Sequence, residues 1–134
     1  MIKILFRSVI IVLGLGLCLS AGAEEQLSTE ELKKLFPEST QIGIGRKTSE
    51  GIQKYWLYKR KDGTMIYKFQ DGWMDEGSWR ITNDDRSCTT FKKLRKGKER
   101  CSTIFRIGDN KYKVLRPDGS ANEFSLEVGN TRGL

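Results

Sequence analysis

The chain contains no histidine. That removes the Ser-His-Asp and Cys-His arrangements of nucleophilic catalysis. It also removes the imidazole ligands on which most catalytic zinc sites depend. Proline is scarce, with only Pro37 and Pro117 in 134 residues, so long stretches are free to run as strands. The three cysteines show no C-x-x-C spacing, which argues against redox and zinc-ribbon motifs. No glycine-rich phosphate loop is present. Gly43-Ile44-Gly45 lies within an extended pattern rather than between a strand and a helix. After residue 23 no apolar run approaches the ~20 residues of a membrane-spanning helix.

What is present begins with an address. Lys3 and Arg7 precede an apolar run from Ser8 to Leu19, and Ala21-Gly22-Ala23 follows with small residues where a signal peptidase cuts. This layout predicts a secretory signal peptide over residues 1–23, with a single β-rich domain from 24 to 134. The run is too short to anchor the chain, and Leu17 is too bulky to precede a lipidated cysteine at Cys18. The expected destination is the periplasm, or otherwise the extracellular space. Cleavage leaves 111 of the 134 residues. It takes Lys3 and Arg7 from the 24 basic side chains, leaving 22 against 17 acidic ones, a net of +5. Cys88 and Cys101 become the only thiols, and in an oxidising compartment they are expected to pair. Closing that 14-residue loop is expected to stabilise the fold by about 3 kcal/mol.

"LSTEELKKLFP" predicts a helix over about 28–36. Ser28 is the N-cap, Glu31 completes a capping box, and Leu27 with Leu32 can form a hydrophobic staple. Glu30 and Glu31 suit the positive end of the helix dipole, and Lys33 and Lys34 the negative end. Beyond Pro37 the pattern turns to period two, punctuated by Glu50-Gly51, Asp62-Gly63, Asp71-Gly72, Asp84-Asp85, Lys96-Gly97, Gly108-Asp109-Asn110 and Pro117-Asp118-Gly119. This rhythm predicts strands near 41–48, 52–60, 64–70, 74–83, 86–94, 98–107, 111–116 and 121–128. Phe124, Leu126 and Val128 share one face, as do Tyr112 and Val114, and Met65, Tyr67 and Phe69. The expected fold is mostly β. It is one antiparallel meander of about eight strands, barrel-like or strongly curled, with the short N-terminal helix across an end.

"GSWRI", Cys88, Cys101, "GDNKY" and "RPDGS", with "LSTEELKKLF" and "DGTM" upstream, resemble a bacterial secreted family catalogued as domain of unknown function 995. The positions that carry the resemblance are Gly77, Trp79, Cys88, Cys101, Gly108, Asp109 and Tyr112. Phe91 departs from it, standing where that family is expected to have tryptophan. The family implies export but names no activity, so no catalytic residue transfers. The Gly-x-Trp of "GSWRI" is also similar to the motif that opens lipocalin barrels, here placed mid-chain. The plainer reading of Trp79 is a core aromatic beside a glycine that gives it room.

The remaining chemistry is sparse. Asp75-Glu76 and Asp84-Asp85 are the carboxylate pairs available for glycoside hydrolysis. Neighbours in a strand point to opposite faces, however, and Asp84-Asp85 reads as a turn. The sequence therefore points away from an enzyme and implies no metal and no cofactor. In "KYWLYKRK", Tyr55 and Leu57 face one way and Trp56 and Tyr58 the other, which makes Trp56 and Tyr58 a candidate aromatic surface. Lys92, Lys93, Arg95, Lys96, Lys98 and Arg100, offset by Glu99, give +5 between residues 92 and 100. The rest of the mature chain balances to zero. No aromatic interleaves these cations, which argues against single-stranded nucleic acid.

Two functions follow as expectations. In the first, an exported, non-enzymatic binding domain uses the disulfide-stapled basic tip as an anion-binding site. Its partner would be lipopolysaccharide, anionic lipid, an acidic glycan or an acidic protein. In the alternative, a lipocalin-like carrier holds a small apolar ligand inside the barrel. A cell-wall glycan hydrolase stands a distant third, and a purely solubilising tip is the plain reading of the charge run.

Overall fold

The computed structural model describes residues 24–48 and 51–134, without the side chains of residues 46–48. The expected leader, residues 1–23, lies outside the described residues. Nine strands and one α-helix follow in order: β1 (Glu25–Gln26), α1 (Thr29–Leu35), β2 (Ser39–Thr48), β3 (Gly51–Lys59), β4 (Thr64–Phe69), β5 (Met74–Ile81), β6 (Arg86–Phe91), β7 (Arg100–Gly108), β8 (Lys111–Leu115) and β9 (Ala121–Val128). Strands β2 to β9 are each antiparallel to the next. β9 then returns to pair with β2, from Ser39↔Val128 to Gly43↔Phe124, which closes an eight-stranded barrel. Closure settles the choice between a barrel and a curled sheet. It also leaves the eight strands without the free edges that invite aggregation. Strand β1 adds outside this ring, pairing Glu25 with Arg106 and Gln26 with Phe105.

Helix α1 seals one end. Ser28 Oγ accepts from the Glu31 amide and Glu31 Oε1 accepts from the Ser28 amide, so the capping box is complete. Leu27, Leu32 and Phe36 are fully buried with Ile104, Tyr112 and Phe124. A helix of seven residues cannot persist by propensity alone, and this apolar contact supplies what it lacks. Asp85 Oδ1 adds a polar clamp: it accepts from the Thr29 amide, and the single hydroxyl proton of Thr29 is shared between Asp85 Oδ1 and the Thr82 carbonyl, each at 2.8 Å. The β5–β6 hairpin is thereby tied to the helix start.

Strand parity decides what faces inward. Tyr55, Leu57, Met65, Phe69 and Phe91 form a second buried cluster, and Trp79 packs against both clusters. Trp79 Nε1 donates to the Arg60 carbonyl, so the indole is satisfied as well as packed. A Cβ on Gly77 would stand 2.0 Å from the Thr90 carbonyl oxygen, so this glycine lets β6 approach β5. Gly43 and Gly45 leave room for the rings of Tyr55 and Phe69 in the same way. Val128 departs from the sequence reading. It ends its strand beyond the helix-capped rim and is exposed, unlike Phe124.

Cys88 and Cys101 are opposed in β6 and β7 and form a disulfide. Their neighbours Ser87, Thr89, Arg100 and Ser102 face the lumen, so the disulfide lies on the outer wall.

Candidate functional site

The barrel interior holds a cavity of about 300 Å³, at the small end of the range for ligand pockets. Phe36, Tyr55, Leu57, Tyr67, Phe69, Phe91, Ile104 and Val114 supply its apolar wall. Gln41, Ser87, Thr89, Ser102 and Asn122 supply polar groups, and Lys59, Arg95, Arg100 and Arg116 supply charge. None of the lining residues is acidic. Antiparallel order places these cations at two levels. Lys59 ends β3 at the helix-capped rim. Arg95 precedes β7, Arg100 opens it and Arg116 follows β8, all at the opposite rim.

Lys59 is buried with Nζ donating to Gln41 Oε1 at 2.8 Å, and it lies 4.6 Å from the centre of the Phe36 ring. Burial drives its pKa from 10.5 down to about 7, because no carboxylate among the described residues stands near to favour the charged form. Gln41 also donates to the Tyr55 hydroxyl, joining β2 to β3 inside the lumen.

The arginine rim is built by the tip between β6 and β7. Asp75, buried on the inner face of β5, accepts from the amides of Glu76, Lys93 and Leu94. This ends β6 at Phe91, three residues earlier than expected. Arg95 and Lys96 then take left-handed backbone angles, with φ of 55° and 54°. Such angles cost non-glycine residues roughly 1–2 kcal/mol each. The turn folds Arg95 back onto the barrel: Nη2 donates to the carbonyl and hydroxyl of Thr89, and the guanidinium lies over the Phe91 ring at 5.2 Å. Nη1 is buried without a hydrogen-bond partner among the described residues. Burial, with Arg100 and Arg116 nearby, holds the pKa of Arg95 down to about 10. Burial and Arg116 lower that of Arg100 as well.

The six tip cations therefore do not act as one patch. Lys92 pairs with Glu76 at 2.9 Å. Lys93 donates to the Met74 carbonyl and lies over Trp73. Arg95 and Arg100 turn into the cavity. Only Lys96 and Lys98 present side chains that are exposed and engage no group among the described residues. Glu99 is held by Arg80 in a two-pronged ion pair across the outer wall.

Trp56 and Tyr58 do not make an open aromatic surface. Tyr58 is buried and its hydroxyl donates to Glu38 Oε2, which raises its pKa. Trp56 is half-buried, flanked by Lys54 and by Arg132 from the C-terminal segment. The carboxylate pairs are similarly committed: Asp75 and Glu76 to the tip, Asp84 to Thr82 and Arg86, and Asp85 to the helix. Among the described residues one cluster has metal-like spacing, Cys88, Glu99 and Cys101. The disulfide leaves it no thiolate to offer.

Sequence reasoning missed Lys59 and Arg116. Both were legible by parity: Lys59 continues the inward row of Tyr55 and Leu57, and Arg116 that of Tyr112 and Val114. No family model matches the chain, and no curated protein or solved structure is significantly similar to it.

Proposed function

We propose that this protein is a non-enzymatic binder that holds a small molecule inside its barrel. The observation that carries this reading is the cavity itself, plugged by α1 at one end, walled with aromatic rings and edged with unpaired cations. Packing alone would favour a filled lumen, as in small barrels without ligands. Export to the periplasm is part of the reading, supported by the layout of residues 1–23 and by a disulfide, a bond that persists chiefly in oxidising compartments. It agrees with the likeness to the secreted family. Native mass spectrometry of protein taken from its own host tests the binding: a bound mass is expected, and a bare chain under gentle conditions counts against it. The exported chain is expected to begin at Glu24.

A second reading keeps the basic tip as a contact for an anionic envelope component. Exposed Lys96 and Lys98 favour it, with Ile44, Ile52 and Met74 exposed at the same end of the barrel. Binding to anionic vesicles that weakens with salt and vanishes in K96Q/K98Q supports it; salt-independent or unchanged binding removes it.

A further inference from the structure

We infer that the cavity takes an amphipathic anion, with a carboxylate or phosphate head held at the rim by Arg95, Arg100 and Arg116 and an apolar body against Tyr55, Leu57, Phe69 and Phe91. This rests on the cavity being a binding site, and it adds the chemical class of what binds.

Three guanidiniums share one small cavity, and that arrangement has no internal counterion. The ion pairs of the described residues, from Arg80–Glu99 to Arg132–Glu127, involve none of the three. The one carboxylate on the inner face of β5, Asp75, is turned to the tip amides and does not line the cavity. Asp118 acts on Arg100 and Arg116 from the exposed turn beyond β8, but it does not line the cavity and forms no ion pair with either among the described residues. Like charges gathered in a half-buried site repel one another, and an anion among them relieves that repulsion.

The donors are also left open. Arg95 Nη1 is a buried donor without an acceptor among the described residues, which is costly unless a ligand or water supplies one. Arg100 makes no side-chain hydrogen bond among the described residues. Arg116 is only partly used. Nη1 reaches Ser120 Oγ at 3.4 Å, and Nη2 donates at 2.9 Å to the Asn122 amide oxygen when that amide is oriented to satisfy both its ends. Guanidinium forks suit planar carboxylate and tetrahedral phosphate oxygens better than any other side chain does. The Tyr67 hydroxyl also faces this side of the lumen and donates to no group among the described residues.

The opposite end fits the apolar part. From the rim inward the wall passes through Phe91, Phe69, Tyr67, Tyr55 and Leu57 before it reaches Phe36 under the helix. Lys59 is not the head-group site, because its amine already has Gln41 and the Phe36 ring.

The test uses the mature chain and three probes with the same tail: decanoate, decyl phosphate and decanol. Binding is read by calorimetry and by amide chemical shifts of residues 94–101 and 114–122. Decanoate or decyl phosphate is expected to bind at least tenfold more tightly than decanol, and whichever is the tighter identifies the head group. R100Q/R116Q is expected to weaken the anion by roughly 10- to 100-fold, the worth of charge-assisted hydrogen bonds, while leaving decanol unchanged. K33Q/K34Q, which removes two exposed charges on the helix at the far end, is expected to change neither. Equal binding of anion and alcohol overturns the anion assignment and leaves the cavity reading standing. No binding of any probe overturns both. Loss in K33Q/K34Q equal to that in R100Q/R116Q reduces the effect to net charge and overturns the assignment. R100K/R116K keeps the charge but not the fork, and should recover part of the affinity. If the glutamine variant fails to fold, the comparison of anion with alcohol on the unaltered protein still decides.

Discussion

Replacing Lys59 with methionine should make the protein more stable at neutral pH and remove a pH dependence that the wild type carries. The reasoning starts from burial. Lys59 Nζ sits inside the barrel with one acceptor, Gln41 Oε1, and its pKa falls from 10.5 to about 7. Between these two values the unfolded chain holds a proton that the folded chain does not. Stability therefore rises with pH across that window, by up to ~1.4 kcal/mol per unit. The penalty of burying the ammonium is fully present below about pH 7 and fades toward pH 10.5. Integrated from pH 7 to pH 9, the wild type should gain roughly 2 kcal/mol from this group alone. Stopping at pH 9 keeps Tyr55 and Tyr67 out of the measurement. Burial raises both their pKa values, so they lower stability only when the unfolded tyrosines ionise. In K59M the methionine fills similar volume without charge, while Gln41 loses a donor at a cost of about 1 kcal/mol. The net gain at pH 7 should be on the order of 2 kcal/mol, within the range seen when buried charges are replaced by apolar groups. Urea unfolding followed by tryptophan fluorescence, at pH 7 and pH 9 on both proteins, isolates the term as a difference of differences. Parallel pH dependence in the two proteins, or a less stable variant at pH 7, would show that the amine is solvated or paired and would refute the argument.

Other perturbations address the frame of the cavity. C88S/C101S should cost about 3 kcal/mol by urea unfolding yet leave the barrel and its cavity intact, because the bridge lies on the outer wall and acts by restraining the unfolded chain. G77A should destabilise by roughly 2–3 kcal/mol, since its Cβ would overlap the Thr90 carbonyl and force β5 from β6; an unchanged melting temperature would mean the strands have slack. D75A should strip acceptors from the Lys93 and Leu94 amides, cost about 2 kcal/mol and speed hydrogen exchange at those two positions. Slow exchange retained there would show that another group holds the tip.

The barrel was legible because its strands keep strict period two and its turns carry glycine, aspartate and asparagine where the chain must reverse. Seven of the eight expected strands both start and end within about two residues of the observed ones for that reason. The exception, β6, ends at Phe91 because Asp75 captures the next amides, a contact between residues eighteen apart that no local pattern encodes. The two-residue strand β1 is not legible because Glu25 and Gln26 are too few to show alternation and bury no apolar side chain. The site was less legible than the fold. A lysine in "YKRK" reads as part of a solvated run, yet parity carries Lys59 inward with Tyr55 and Leu57, and only closure of the barrel turns that parity into burial. Arg116 was passed over because it borders a Pro-Asp-Gly turn, where exposed charge is ordinary.

The same closure changes what the charge of the tip means. Residues 92–100 carry the entire surplus of the chain after residue 23, which from sequence suggested a patch directed outward. The fold divides that surplus. Lys92 is neutralised by Glu76, Lys96 and Lys98 remain outside, and Arg95 and Arg100 are delivered to the inner rim, where Arg116 from another hairpin meets them. The delivery depends on two residues in left-handed geometry and on a buried aspartate spent on backbone amides. Solubility needs neither, for lysines on an ordinary two-residue hairpin would serve as well. On the proposed reading, the strain at the loop that turns its arginines into the cavity has a use: it fixes the donors in advance and lowers the ordering cost of binding an anion.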